Sequence, residues 1–294
     1  MADKIHGGAA MIQITPTGQA CGAEIRGVDL SQPLDAQAIH NIRTAWLEHH
    51  VLAFPNQNLS DPDLVRITEY FGGLGEDPYF VPISDDNPVV ALSRRADEQA
   101  PVFAESWHSD WSFKTHPPIG TCLYSLVIPP VGGDTSFANQ QLAVATMPSD
   151  LRARLDGKIA LHSAAAAYGP DGTYGEKDQG SDRTMEILFS ESALETERHA
   201  IINVHPENGE ETLFSTAGYI CAIEGMPQDQ AQQLIVDLYA WQTRKEFQYT
   251  HKWQSHMFVM WDNRSVLHKA NGGYDGYARD LHRTTIAGHP ELSL

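Results

Sequence analysis

Residues 107–113 read WHSDWSF, which places a histidine, His108, two positions before an aspartate, Asp110. On a β-strand, residues i and i+2 point to the same face, so this imidazole and carboxylate can hold one metal ion together. The chain contains 14 histidines, and about one H-x-D is expected by chance in a chain of this composition. The motif therefore indicates a metal site only together with other residues.

Short apolar stretches separated by glycine- and proline-rich turns dominate the chain from about residue 88 onward. Strands are predicted at 89–92, 119–127, 201–204, 212–215, 257–261 and 284–287, with an earlier one at 51–54. Helices are predicted over 35–49 and 228–243 from apolar residues at helical spacing, and from Ser60 to the glycines at 72–73 from a capping-box pattern. This mixture predicts a mainly β sandwich or barrel with inserted helices. No linker separates two cores, so we expect one domain over residues 1–294.

The charge balance limits the classes of partner. Lys and Arg number 20 against 38 Asp and Glu, which gives a formal net charge of -18. A surface this acidic repels nucleic acid and anionic membranes, so we expect neither as a partner. A homo-oligomer remains an open alternative, since nothing in the sequence decides the oligomeric state.

Three features of the sequence bear on the cellular location: the N-terminal residues, the length of the apolar stretches and the cysteines. Residues 1–8 lack an apolar signal region, and no apolar stretch is long enough to span a bilayer. The three cysteines, Cys21, Cys122 and Cys221, are scattered without a paired spacing. These features are typical of a reduced, cytoplasmic setting.

Several further motifs follow the H-x-D in a fixed order. They are GGDT at 132–135, HPENG at 205–209, WDNRSVLH at 261–268 and RDLHR at 279–283. With these motifs the chain resembles the taurine and aryloxyacetate dioxygenase (TauD/TfdA) family from about residue 12 to residue 288. The resemblance implies a double-stranded β-helix core, of the jelly-roll or cupin-like type.

The resemblance also implies a reaction and its ligands. It implies that Fe(II) is held by His108, Asp110 and His268, and that 2-oxoglutarate and O2 are co-substrates. Members of the family decarboxylate 2-oxoglutarate to succinate and CO2 while they hydroxylate a small organic acid, a carboxylate or a sulfonate. We therefore expect a 2-oxoglutarate-dependent dioxygenase.

Two arginines alternate along the last predicted strand, so Arg279 and Arg283 face the same side. Buried guanidinium groups without nearby acids are costly, and anionic ligands remove that cost. The resemblance implies that Arg279, with Thr135, holds the distal carboxylate of 2-oxoglutarate. It implies that Arg283 meets the anionic end of the primary substrate or supports the co-substrate. His282 points to the opposite face, which argues against it as the third metal ligand.

The predicted substrate side departs from the taurine enzyme. Alignment through FGGL at 71–74 places Asp77 and Phe80 where that enzyme has a histidine and a tyrosine. Asp77 is expected to be a solvated turn acid before Pro78, with contact to a cationic group as the alternative. Trp111, with Phe80 and other aromatic residues, forms either an aromatic substrate pocket or ordinary core.

The segment from Tyr168 to Asp182 reads YGPDGTYGEKDQGSD and is polar and glycine-rich. A long loop of this kind in a compact domain is either a surface insertion or a functional lid. We expect a lid within residues 163–198 that is mobile without ligand and ordered by substrate.

Three alternatives stay open at the level of the sequence. The first is the same chemistry on an amine-bearing or aromatic substrate. The second is a hydrolase or isomerase on a cupin-like barrel with Zn or Mn, which would not need Arg279 and Thr135 as a dicarboxylate clamp. The third is a non-catalytic binding barrel that has lost its metal, against which the complete triad argues.

Overall fold

A computed structural model describes residues 12–292 and residue 294 of the chain; residues 1–8, on which the expected lack of a signal peptide rests, lie outside this part. The described chain forms fifteen strands and six α-helices. The strands are β1 (Gln13–Pro16), β2 (Ala23–Arg26), β3 (Val51–Phe54), β4 (Val90–Arg94), β5 (Gly120–Val127), β6 (Thr135–Asn139), β7 (Ile159–His162), β8 (Glu197–Ala200), β9 (Ile202–Val204), β10 (Glu211–Leu213), β11 (Ile220–Ile223), β12 (Gln248–His251), β13 (Phe258–Asp262), β14 (Val266–Ala270) and β15 (Arg279–Ile286). The helices are α1 (Ala36–His49), α2 (Asp61–Tyr70), α3 (Gln140–Ala145), α4 (Ser149–Leu155), α5 (Ala165–Tyr168) and α6 (Gln228–Gln242).

Two sheets face each other and enclose the site. The larger sheet has seven strands in the order β1-β2-β3-β13-β5-β15-β4, and the facing sheet has the order β12-β6-β14. Side chains from both sheets form one buried cluster, in which Leu123 and Val259 of the larger sheet pack with Phe137 and Val266 of the smaller one. The expected mainly β core is thus a sandwich whose interior lies between these sheets. Smaller sheets, β11-β7-β8 and β10-β9, complete the fold.

The outer face of the larger sheet is covered by α1 and α2. Alternate residues of β3 and β13 point outward, and Phe54 and Phe258 pack there with Ile42 and Trp46 of α1. The Asp35 side chain caps α1 by accepting the backbone N–H of Ala38. This burial on both faces explains the continuous apolar run that predicted β3.

The predicted capping box at the start of α2 is confirmed. The Ser60 hydroxyl accepts the Asp63 backbone N–H, and the Asp63 carboxylate accepts the Ser60 backbone N–H. These bonds satisfy two donors at the helix start, which explains why α2 begins at Asp61.

Strand β15 begins earlier than the predicted 284–287. It spans Arg279–Ile286 and pairs with β4 on one side and β5 on the other. Leu281 faces the interior between the sheets, whereas Ile286 belongs to the cluster under α1 and α2. The predicted alternation of the strand is therefore confirmed.

The WDNR segment, which begins at the end of β13, is a buried structural network. Asp262 lies 3.0 Å from the Nε2 atom of His205 and 2.7 Å from the Nη2 atom of Arg264. Arg264 also pairs with Glu207 at 2.6 Å. These contacts tie the HPENG segment to the turn between β13 and β14. His268 lies on β14 itself rather than at the end of a loop.

The predicted polar segment from Tyr168 to Asp182 has more local structure than expected. It begins at α5 and continues through turns in which Thr173 and Tyr174 donate backbone hydrogen bonds to residues of α5. Tyr168, together with Ala164 and Ile187 nearby, belongs to a buried aromatic cluster. The polar, glycine-rich composition suggested that this segment buries little apolar surface. This is wrong, because the rings of Tyr168 and Tyr174 pack in or against that cluster.

No helix in the described residues combines the length and the apolar composition that crossing a membrane requires.

Candidate active site

The two histidines of the predicted triad are joined through their backbones. His108 donates its N–H to the carbonyl of His268 at 2.9 Å, and His268 donates back to His108 at 2.8 Å. This isolated antiparallel bridge extends β14 by one pair and brings the imidazole rings to 4.2 Å between centroids. The expectation that the H-x-D lies on a regular strand is wrong.

Asp110 reaches the site because the chain turns directly after the bridge. Residues 110–113 form a turn, and Trp111 has a φ of 47°. A left-handed backbone is uncommon for a bulky residue and has to be held by its surroundings. The turn folds the Asp110 carboxylate back toward both histidines.

The three side chains converge on one point. Their potential ligand atoms all lie within 4.8 Å of one another, and theirs is the only such group of three or more His, Cys, Asp or Glu side chains found within residues 12–292 and 294. Oδ1 of Asp110 is 3.7 Å from Nε2 of His108 and 3.7 Å from Nε2 of His268. His282, the rival ligand, instead pairs with Asp61 at 2.5 Å on the outer face of the sheet.

Protonation in this cluster suits metal binding. Burial lowers the pKa of His108 and of His268, so both imidazoles are neutral and have a lone pair to offer. Burial alone would raise the pKa of Asp110, but the charge of Arg283 and the hydrogen bond from Thr121 hold it well below its usual range. His108 Nδ1 lies 2.8 Å from the carbonyl of Ser106, which places the proton there and leaves Nε2 free.

The second oxygen of Asp110 is held by the protein. The Thr121 hydroxyl donates to Oδ2 at 2.5 Å, and Nη2 of Arg283 lies 3.1 Å from the same atom. Oδ1 is left facing the histidines. Two neutral nitrogens and one carboxylate oxygen form the donor set of a two-His-one-carboxylate site, which leaves coordination positions open on Fe(II). The residues present therefore fit iron.

Arg283 does not carry an unpaired charge, contrary to expectation. Besides Asp110, it donates from Nε and Nη2 to Oδ1 of Asp77 at 3.1 and 3.0 Å. Asp77 also accepts the indole N–H of Trp111 at 2.7 Å, and its side chain is only 7% exposed. The expectation of a solvated turn acid is therefore wrong, because the partner of Asp77 is Arg283 of the protein itself.

Arg279 is the arginine that lacks a counterion. Within residues 12–292 and 294, its guanidinium makes no hydrogen bond or ion pair, and its Nε atom is buried. Burial lowers the pKa of Arg279, and the attraction of Tyr274 and Asp134 offsets this effect only in part. Gly133, with a φ of 70°, lies beside it; a Cβ at this position would contact the arginine side chain at 3.4 Å and would lie only 2.9 Å from Pro129. The chain thus exposes one uncompensated cation to the interior.

One cavity between the sheets brings the predicted residues together. Those that line it are His108, Asp110, His268, Thr135, Arg279, Arg283, Phe80 and Trp111. Asp77 does not line it and lies behind Arg283. The Thr135 hydroxyl accepts the indole N–H of Trp253 at 3.0 Å.

Other lining residues were missed by the sequence analysis. Tyr219, Met185 and Tyr274 reach the cavity from loops that carry no motif. Thr121 was also missed, and only its position on a predicted strand near the triad hinted at it.

Aromatic rings form one wall of the cavity. Phe80 lies 5.0 Å from Trp111 between ring centroids, and Tyr168 lies 5.6 Å from Trp111. Tyr168 also stacks on Tyr79 at 4.3 Å. This wall offers apolar contact area to a bound molecule.

Comparison with known proteins agrees with this geometry. A family model described as the taurine catabolism dioxygenase TauD, TfdA family matches residues 13–285. An alkylsulfatase of Acinetobacter baylyi is 33% identical over 292 residues, which cover 98% of this chain and 89% of that protein. An alpha-ketoglutarate-dependent sulfate ester dioxygenase of Pseudomonas putida is 31% identical, with coverage of 97% and 93%.

Solved structures agree as well. A taurine dioxygenase from Burkholderia xenovorans has a TM-score of 0.76 to this chain at 29% identity, with 96% of this chain and 92% of that one covered. This likeness confirms the expected jelly-roll type of core with inserted helices. By its sequence and its fold, the chain belongs to the taurine catabolism dioxygenase TauD, TfdA family.

Proposed function

We propose that this protein is an Fe(II)- and 2-oxoglutarate-dependent dioxygenase that oxidises a small organic acid with an apolar portion. The observation that carries the proposal is Arg279, a cation without a counterion that lines the same cavity as the His108, Asp110 and His268 cluster. A metal-dependent hydrolase or isomerase would not need Arg279 and Thr135 as a dicarboxylate clamp in the same cavity.

The triad is proposed to hold the iron. The Ser106 carbonyl orients His108, and Thr121 with Arg283 holds Oδ2 of Asp110, so that Oδ1 is presented. When bound, Fe(II) and 2-oxoglutarate supply the oxidation, in which O2 and 2-oxoglutarate give succinate and CO2 while a substrate C–H becomes C–OH. The protein contributes position and the exclusion of water.

Arg279 and Thr135 are proposed to bind the distal carboxylate of 2-oxoglutarate. A guanidinium matches a carboxylate with two parallel N–H donors, and the Thr135 hydroxyl adds a third. Trp253 already donates to Thr135, which leaves the hydroxyl proton free to be donated to an anion. Binding the co-substrate would thus supply the counterion that Arg279 lacks.

The aromatic wall is proposed to bind the apolar portion of the primary substrate. Phe80, Trp111 and Tyr168 supply it, and Asp77 and Arg283 support it from behind. The two curated relatives are named for alkyl sulfate and sulfate ester substrates, which supports an acid with an alkyl or aryl body.

We also propose a domain organisation, a lid and a cellular setting for this protein. The family match over residues 13–285 supports a single dioxygenase domain. Tyr168, Arg183 and Met185 line the cavity, which supports a lid within residues 163–198. Three free cysteines, two of them buried, support a reduced cytoplasmic setting.

The proposal is tested by anaerobic titration with Fe(II) and 2-oxoglutarate, followed by a succinate-release screen over alkyl and aryl carboxylates, sulfonates and sulfate esters. Chelation of the keto acid by bound iron gives a weak visible charge-transfer band, and a substrate raises succinate release. Neither signal is expected from a binding protein without chemistry, so their absence would overturn the proposal.

A further inference from the structure

The guanidinium of Arg283 lines the cavity, but two carboxylates and two aromatic rings hold it in place. Asp77 and Asp110 accept from its edge at 3.0 to 3.1 Å. The rings of Phe80 and Trp111 lie over it at 5.5 and 5.6 Å from their centroids. Only 4% of Arg283 is exposed. Arg283 is therefore a structural cation that the protein itself pairs, and it is not a free binding group for a substrate anion.

The formal charges explain why two acids meet one arginine. In the proposed function the charge of Asp110 serves the metal ion, so it is not available to neutralise Arg283. Asp77 does this, and the indole N–H of Trp111 holds it in place at 2.7 Å. A substrate anion at Arg283 would meet a pair that is already neutral and would have to displace a buried, hydrogen-bonded carboxylate.

The other cations of the cavity are also engaged. Arg94 pairs with Glu98 at 3.1 Å, and Arg183 pairs with Asp178 at 3.2 Å. Of the arginines that line the cavity within residues 12–292 and 294, Arg279 alone forms no ion pair with a carboxylate of the protein. In the proposed function, this arginine binds 2-oxoglutarate. A second anion therefore finds no free guanidinium next to the triad.

We propose that Asp77 is a specificity-determining residue that keeps Arg283 neutralised, so that the part of the substrate beside the triad is uncharged and apolar. The acidic group of the substrate then lies several bonds from the carbon that is oxidised. This inference rests on the proposed function and refines its substrate class. Short acids, whose charge cannot be kept away from the triad, are poor substrates.

The test uses the iron-loaded protein with 2-oxoglutarate and a series of linear alkanesulfonates from propane- to decanesulfonate. Succinate release gives kcat/KM for each chain length. In the unaltered protein, octanesulfonate should exceed propanesulfonate by about tenfold or more, the effect of one charge-assisted contact. Asp77→Asn keeps the size and the acceptor oxygen but removes the charge, and should raise kcat/KM for propanesulfonate by about tenfold.

The matched control is Asp61→Asn. Asp61 pairs with His282, the neighbour of Arg283 on β15, but on the outer face of the sheet. This variant should keep the chain-length preference of the unaltered protein. If Asp77→Asn does not fold, Asp77→Ser replaces it, because serine also removes the charge and keeps a hydrogen-bond acceptor for the indole N–H of Trp111.

The outcomes separate the two proposals. A preference of the unaltered protein for propanesulfonate, or a loss of short-chain activity in Asp77→Asn, would overturn the role of Asp77 and leave the dioxygenase proposal standing. If no acid of any class releases succinate and no charge-transfer band forms, the proposed function fails and this inference fails with it.

Discussion

His108 and His268 are hydrogen-bonded to each other through both of their backbone amides, at 2.9 and 2.8 Å. The spacing of the two imidazoles is therefore set by β-pairing between the H-x-D segment and β14, not by a metal ion. A ligand pair fixed in this way loses little conformational entropy when a metal binds. The backbone pairing thus positions two of the three ligands of the triad.

We expect His108→Ala and His268→Ala each to abolish the charge-transfer band that Fe(II) and 2-oxoglutarate produce under anaerobic conditions. Removing one of three protein ligands leaves too few donors to hold iron at micromolar concentration. His282→Ala is the matched control, since His282 lies beside Arg283 on β15 but pairs with Asp61 on the far face. Full turnover by His268→Ala, with loss in His282→Ala, would show that the ligand assignment is wrong.

The sequence predicted the triad through the order of its motifs, and predicted the two facing arginines through strand alternation. It did not predict that the H-x-D lies at a bridge followed by a turn, because the left-handed backbone of Trp111 depends on contacts with distant residues. Nor did it predict the partner of Asp77, which is 206 positions away in the chain at Arg283. Strands and helix caps can be predicted from residues close together in the sequence, whereas an ion pair between residues far apart in the chain depends on the packed fold.

Arg279→Met should weaken 2-oxoglutarate binding by about 30- to 1000-fold, or roughly 2–4 kcal/mol, through loss of a charge-assisted contact. Without co-substrate, the same variant should melt at an equal or higher temperature, because an uncompensated buried cation is costly. Anaerobic titration and thermal melting measure the two effects.

Arg94→Met is the control for this prediction. Arg94 lines the same cavity but pairs with Glu98, which is buried. Its removal should lower the melting temperature, because Glu98 loses its partner, and should leave 2-oxoglutarate affinity nearly unchanged. The reverse pattern in the two variants would contradict the assignment of Arg279.

Hydrogen exchange in the segment from Tyr168 to Asp182 should slow when 2-oxoglutarate and a substrate acid are both bound. Tyr168 lines the cavity, and Tyr174 lies 5.6 Å from Tyr168 between ring centroids, so a ligand adds contacts to the first half of the segment. Helix α6 serves as the internal reference and should not change. Unchanged protection of the segment with both ligands present would show that it is not a lid.

Stability should fall as the pH drops below neutrality, partly through His162. Burial, with a smaller contribution from the neighbouring His199, lowers the pKa of His162 to about 3. In the unfolded chain its pKa is about 6.5, so between these values only the unfolded chain binds the proton. The stability that this residue contributes is present above pH ~6.5 and is lost as the pH falls toward 3, by up to about 1.4 kcal/mol per pH unit.

His162→Gln should remove this part of the slope. The slope is measured from urea unfolding at several pH values between 4.5 and 6.5, within the window set above. His40→Gln, at an exposed position of α1, is the matched control and should leave the slope in place. An unchanged slope in His162→Gln would show that another group takes up the proton.

The residues that line the cavity stand on two kinds of backbone, regular strands and irregular segments. Thr135, His268, Arg279 and Arg283 stand on strands that share ladders with their neighbours, whereas Phe80, Trp111, Tyr168 and Tyr219 stand on turns, loop ends or a one-turn helix. Mutational tolerance should follow the same division. Libraries for directed evolution that vary positions 80, 168 and 219 should retain folded, iron-binding protein in most members while changing which compounds react. Libraries that vary β14 or β15 should lose both properties together.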